Sequence, residues 1–108
     1  MKIISSQSFI DWEVVESKME ELTNAGSTSV IIPCWAAGEI DGEEFAVQSD
    51  KHHTLCAARE LGLDIQFEIV DHPEGLTGTD LLEAAYMDCD WYDVENSDLT
   101  TEQFNYIW

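Results

Sequence analysis

Residues Val47 to Val70, VQSDKHHTLCAARELGLDIQFEIV, limit this chain more than any other segment. The last seven, Asp64 to Val70, alternate strictly. Ile65, Phe67 and Ile69 fall on one side, and Gln66 and Glu68 on the other, as in a half-buried strand. The Ala-rich stretch before them is bounded by Asp50, able to cap a helix start, and Gly62, suited to a helix C′ position. Phe45 to Gln48 is apolar and reads as a strand. Strand, helix and strand therefore follow one another within one short span, which implies a sheet with a helix packed on it.

The flanks extend that plan. Met1 to Ile4 reads as a short strand. Ser8 is a candidate N-cap for a helix from Phe9 to Asn24, ended by Gly26. At helical spacing, Trp12, Val15, Met19 and Leu22 share a face flanked by Ile10 and Val14, and Glu13, Glu16 and Glu20 lie opposite. Thr28 to Cys34 is a β-branched strand whose Pro33 suggests an edge or a bend. Gly38 to Glu44 reads as a turn, making a hairpin with the strand that returns at Phe45. After a loop from His72 to Gly78, Thr77 or Thr79 caps a helix from Asp80 to about Asp88, burying Leu81, Leu82, Ala85 and Tyr86. A last short helix is expected from Thr100 or Thr101. The fold class is α+β: one domain spanning residues 1 to 108, with a mixed sheet of three to five strands and three or four helices. Its amphipathic helix lies at about 9–24 and a helical acidic extension at about 79–108.

Charge is the second constraint. The chain has 23 Asp and Glu against Lys2, Lys18, Lys51 and Arg59, a net charge of −19 over 108 residues. After Arg59 come 13 acids and no base. Such a surface repels nucleic acid and anionic membranes and attracts basic partners. Its self-repulsion also opposes folding. Cys34, Cys56 and Cys89 are odd in number and include no CxxC pair, the usage of reduced thiols in a cytoplasmic protein. No apolar run approaches the ~18 residues of a membrane span.

The central run resembles the segment that ParB-like domains of the ParB/sulfiredoxin-like superfamily write as D-G-H-H-R-L-x-A-A-x-x-L-G before an apolar strand. Asp50, His52, His53, Leu55, Ala57, Ala58, Leu61 and Gly62 match. The likeness covers roughly residues 28 to 70. It implies a turn that faces a nucleotide or phosphate through a glycine, a helix N-terminus and an arginine. Here Lys51 stands at the glycine position and Thr54 at the arginine position, so the resemblance implies a turn degenerate for nucleotide chemistry. A sulfiredoxin-type cysteine would fall where Lys51, His52 and His53 stand, and that activity is not carried over.

Two classes of function follow. If the chain is an enzyme, a nucleotide hydrolase or nuclease, its catalytic candidates are Asp50, Lys51, His52 and His53. A metal site on these histidines would need a third ligand from Asp71, His72 or Cys56, so no metal and no cofactor are expected. The leading expectation is a non-enzymatic acidic binding protein. It would mimic nucleic acid and block the DNA- or RNA-binding site of a host defence complex, as a phage-type anti-CRISPR or anti-restriction inhibitor does. Acids three and four apart on a helix lie about 5–6 Å from each other. Phosphates recur every ~3.4 Å of axis along a nucleic-acid strand, the same order of spacing. The candidate partner-binding residues are Glu13, Glu16, Glu20 and Glu21; Glu39, Asp41, Glu43 and Glu44; and Asp88, Asp90, Trp91, Asp93, Glu95 and Asp98, with Tyr92 alongside Trp91. The expected partner is a basic nucleic-acid-binding protein, with no direct nucleic acid and no membrane. An antitoxin-like partner of one basic protein is the third reading.

Overall fold

The computed structural model describes residues 1–95. Its elements run β1 (Lys2–Ser5), α1 (Trp12–Asn24), β2 (Ser29–Ile40), β3 (Glu43–Gln48), α2 (His52–Leu61), β4 (Asp64–Val70), α3 (Gly78–Ala85) and β5 (Tyr92–Asp93). The five strands form one mixed sheet in the order β4-β2-β3-β1-β5. The fold is α+β. The expected helix near Thr100, and Asp98, lie outside the described residues.

The architecture is two interleaved β-α-β units. In the first, β1 leads through α1 to β2. In the second, β3 leads through α2 to β4. Corresponding strands pair in parallel, β1 with β3 and β2 with β4. Corresponding helices also pack on each other, on the same face of the sheet. An antiparallel hairpin joins the units, with Trp35 opposite Val47 and Ile40 opposite Glu43.

Each helix starts and stops for local reasons. The start of α1 lies later than Ser8 implies, because Asp11 takes the N-cap and accepts from Glu13 N at 3.0 Å. Ser8 is diverted: its N–H and hydroxyl both donate to Asp88 Oδ1. Both α1 and α2 end in a glycine at positive φ, followed by a bond from the next N–H back five residues. These bonds are Ser27 N to Leu22 O and Leu63 N to Ala58 O.

The hairpin turn is tighter than the glycines suggest. Only Asp41 and Gly42 lie outside the strands, at φ 52° and 82°, the two-residue turn that suits the twist of paired strands. Gly38, at φ 79°, is instead absorbed as a bulge within β2, and so β2 continues to Ile40. Pro33 sits in a central strand rather than at an edge. Its carbonyl accepts from Ser49 N, where β3 has already ended, so β3 offers no further ladder there for its missing N–H to serve.

Two cores fill the faces. Val15, Val30, Ile32, Cys34, Ala46, Leu55, Cys56, Ala57 and Ala58 pack between the sheet and α1/α2. Ile4, Ala37, Phe45, Val47, Leu81 and Leu82 pack beneath α3. Three expectations are corrected here. Trp12 stands at the first turn of α1, 44% exposed, rather than in the core stripe. The third helix stops at Ala85, so Tyr86 leaves it and is 53% exposed. The segment after it is not helical. It returns along β1 as β5, burying Tyr92 and Val94.

The hairpin sets Glu39 directly opposite Glu44, both exposed. Like charges facing across a strand pair destabilise it. Glu44→Lys is therefore expected to stabilise the fold by about 0.5–1 kcal/mol at low salt. Urea unfolding should show the gain, and high salt should shrink it.

Candidate functional site

Parallel pairing of β1 with β3 brings the loops that follow them side by side. The loop from Ser6 to Asp11 leads into α1, and Ser49 to Lys51 leads into α2. Between the two helix starts lies a cleft of about 510 Å³, lined by Gln7, Val14, Lys18 and Asp50 to Thr54. This is where the topology places the four catalytic candidates.

Both histidines are committed to holding these loops together. His52 is buried, with its Nε2 3.0 Å from Ser5 Oγ. Ser5 Oγ in turn accepts from Gln7 N at 3.1 Å. Burial pushes the His52 imidazole down from 6.5 to about 4. The charges of Asp50 and Asp88 oppose that shift and His53 adds to it. His53 Nε2 accepts from Asp11 N at 3.1 Å, which requires that nitrogen to be unprotonated. Each ring thus spans from α2 to the loop of the other unit.

The same loop is held from its other side. The Asp88 carboxylate accepts from Ser8 N, Ser8 Oγ and Phe9 N. Burial raises the Asp88 carboxyl, but these hydrogen bonds outweigh it and leave its pKa below the ordinary value. Tyr92 donates to Gln7 O at 2.6 Å, and burial lifts its phenol to about 12. Ser6 Oγ accepts from Met87 N, and Ser6 O from the N–H groups of Asp88 and Cys89.

Asp50 does not cap α2. Its Oδ1 accepts from Lys51 N at 2.7 Å, one residue short of the helix, and Lys51 itself occupies the N-cap position without a side-chain cap bond. Lys51 does so at φ 63° and ψ 35°, the left-handed region. A side chain bearing Cβ is disfavoured there, and glycine is not. The lysine thus stands in a glycine conformation at the position where the resembling motif carries glycine.

The remaining metal and thiol candidates sit apart from this cluster. His72 belongs to the turn after β4, its ring edge-on to Trp35 at 4.6 Å and its Nδ1 accepting from Glu74 N. Cys56 is buried in α2, and burial, with Glu95, raises the Cys34 thiol to about 12. Among the described residues, no group of three His, Cys, Asp or Glu could hold a metal ion. No helix among them is long and apolar enough to cross a membrane.

The acidic candidates divide into surface and frame. Glu13, Glu16, Glu20 and Glu21 are exposed on α1. Glu39, Asp41, Glu43 and Glu44 are exposed at the hairpin, where Glu43 pairs with Lys2 Nζ at 3.3 Å. Asp90 and Glu95 are exposed as well. Asp93, however, is 8% exposed, with Oδ1 accepting from Glu95 N, so it is no surface acid. Asp88 is exposed but spent on the loop, and Tyr92 is fully buried, which removes it as an interface anchor. Sequence reasoning missed the loop-holding roles of Ser5, Ser6 and Asp88. Their partners lie about 47 to 83 residues away, and no spacing rule reaches that far. Comparison with protein-family models, with curated proteins and with solved structures found no match to this chain.

Two outcomes test this geometry. The folded His52 resists protonation until about pH 4, whereas the unfolded one accepts a proton near 6.5. Stability tied to the neutral ring is therefore full above pH 6.5 and is lost as pH falls through 6.5 towards 4. The whole loss is roughly 3 kcal/mol. Urea midpoints at high salt, where carboxylate repulsion is screened, should fall through that window. In His52→Gln they should start lower and fall less. Separately, Lys51→Gly should stabilise the protein by about 1 kcal/mol at high salt by relieving the left-handed backbone. An unchanged or lowered midpoint would show that the lysine is not strained.

Proposed function

We propose that this chain is a non-enzymatic acidic binding protein that occupies the nucleic-acid site of a basic protein or complex, as an inhibitor of a host defence system would. The observation that carries this reading is the outer stripe of α1. Glu13, Glu16 and Glu20 succeed one another at three and four residues on the solvent side of a helix whose inner side buries Val15. Over seven residues such a stripe extends about 10 Å, a row of carboxylates whose spacing is of the same order as that of a charged backbone. Four cations cannot neutralise 23 acids, so the surface carries a large uncompensated field. A Lys- or Arg-lined groove that accepts a phosphate backbone also accepts this row and releases its counterions in doing so.

The reading predicts competition and salt sensitivity. An interface that inherits about six phosphate contacts loses on the order of 10³ in affinity between about 50 and 200 mM salt. The immobilised chain should capture a nucleic-acid-binding protein from a bacterial lysate, release it in salt, and lose it to excess duplex DNA. The Glu13→Lys, Glu16→Lys, Glu20→Lys variant should fold normally, since those side chains are exposed, and capture far less. A partner held equally well by that variant and in the presence of DNA would sink mimicry and favour an antitoxin-like complex.

One observation favours a second reading. Lys18 and Lys51, half of the chain's cations, line the same cleft at the start of α2. Free N–H groups at a helix start and two ammonium groups suit an anion, so the cleft could retain the nucleotide binding that the resemblance implies. Calorimetric titration with CTP and ATP separates the two. Tight binding lost in Lys51→Ala would support a nucleotide site, and no heat would leave the acidic surface as the functional one.

A further inference from the structure

We propose that the hollow between α3 and Trp91 receives an arginine side chain of the basic partner. This inference rests on the reading of the chain as an acidic binding protein, and adds a second contact with a basic partner, apart from the α1 stripe. The hollow is about 460 Å³, lined by Thr79, Leu82, Glu83, Tyr86 and Trp91. That lies within the roughly 300–1,000 Å³ of small-molecule sites and is ample for one long side chain. It lies on the face of the sheet opposite α1 and α2, away from the cleft at the helix starts.

Its chemistry is selective. Thr79, Leu82 and Glu83 fall at i, i+3 and i+4, so α3 presents them as one stripe, and Tyr86, the C-cap, closes its end. Leu82, 8% exposed, supplies an apolar floor for a methylene stem. Tyr86 and Trp91 stand with ring centroids 6.5 Å apart and planes at 72°. Two rings set at an angle form a corner, where a flat cation can lie on one face and meet the edge of the other. Tyr86 is 53% exposed, a large aromatic surface left open to a partner.

Charge then chooses the occupant. Glu83 offers an exposed carboxylate at the wall, and Asp80 lies one turn earlier on the same helix. The carbonyl end of α3 also lies at the hollow, because Tyr86 is its C-cap, and the last turn holds no basic residue to offset that partial negative charge. None of Lys2, Lys18, Lys51 and Arg59 lines the hollow. An apolar side chain would fill the floor but leave Glu83 unused, and an acidic one would be repelled. Lysine brings the charge without the planar fork. Arginine alone stacks on an aromatic face and forms a bidentate pair with a carboxylate.

The test uses the full chain and three peptides: nona-arginine, nona-lysine and nona-citrulline, the last matching arginine in shape without its charge. Calorimetry at fixed salt should give tighter binding of nona-arginine than nona-lysine, and none of nona-citrulline. Tyr86→Leu keeps the apolar bulk and removes the ring face, and Glu83→Gln removes the charge. Each should weaken nona-arginine binding by about 3- to 30-fold. Glu60→Gln, an exposed acid on α2 outside every candidate cluster, removes the same charge elsewhere and sets the non-specific scale, which both variants should exceed. Circular dichroism checks that the variants fold, as exposed positions should allow. If the parent binds none of the peptides, the reading of the chain as a basic-partner binder fails, and this inference with it. If the parent binds nona-arginine but Tyr86→Leu and Glu83→Gln weaken it no more than Glu60→Gln does, the binder stands and the anchor is wrong. Equal binding of nona-citrulline would likewise overturn the anchor.

Discussion

The structure depends on how the loop between β1 and α1 is held, and two histidines of α2 hold one side of it. Each β-α-β unit could bury its own helix, but nothing in the hydrophobic cores alone fixes how the loop before α1 meets the start of α2. His52 on Ser5 Oγ and His53 on Asp11 N set that register with directional bonds. The bond from Asp11 N needs His53 Nε2 as its acceptor, and burial keeps His52 neutral through physiological pH. A directional bond closed off from water is worth more than an exposed one, and leaving either partner unpaired costs more still. The histidine pair at the candidate site is therefore engaged in holding the end of β1 and the loop after it against the start of α2.

The second constraint is repulsion. Acids spread over α1, the hairpin and the α3 side raise the energy of every close approach, and Glu39 facing Glu44 shows that the fold tolerates it even across a strand pair. Two cores offset it, one on each face of the sheet. Cations are placed sparingly: Lys2 with Glu43, Lys18 with Glu21, and Arg59 donating to the Val94 carbonyl. Exposed pairs of this kind contribute little. The Arg59 contact helps to hold the returning segment of β5, so one of the four cations serves the frame rather than the surface.

Much of the scaffold was legible because it rests on local rules. Strict alternation marked β4, and Gly26 and Gly62 marked the ends of α1 and α2. What failed were choices between neighbours of equal merit. Ser8 and Asp11 both suit an N-cap, and Asp11 wins because Ser8 is drawn to Asp88, far along the chain. Gly38 and Gly42 both suit a turn, and only register decides that the first is a bulge. That the aromatic tail at Trp91 and Tyr92 packs back on the domain follows from its composition, but its course from Tyr86 was invisible for a different reason. A two-residue β5 has no periodicity, and Tyr92 is held by a carbonyl of the loop at Gln7 that no pattern announces. At the candidate site the residues were found but their roles were not. A histidine that pins a loop and one that moves a proton look alike until their partners are seen.

That distinction bears on where function can reside. Side chains that hold the frame cannot easily also bind a partner, because a partner would compete for their hydrogen bonds. His52, His53, Asp88, Asp93 and Tyr92 are all so engaged. The exposed glutamates of α1, the hairpin acids, Glu83 and Tyr86 are not required by the packing, and several of them work against it. The proposed binding to a basic partner would account for a surface that costs stability without serving the core: on that reading, each carboxylate that repels its neighbours in the free protein gains a counter-charge in the complex. The same argument isolates Lys51. It carries a Cβ in a backbone conformation that disfavours one, yet it adds a cation to a cleft that already holds Lys18. Backbone strain of this kind at a turn is a reason to test that turn for a ligand. The cleft before α2 thus brings two cations, Lys51 and Lys18, beside one carboxylate, Asp50.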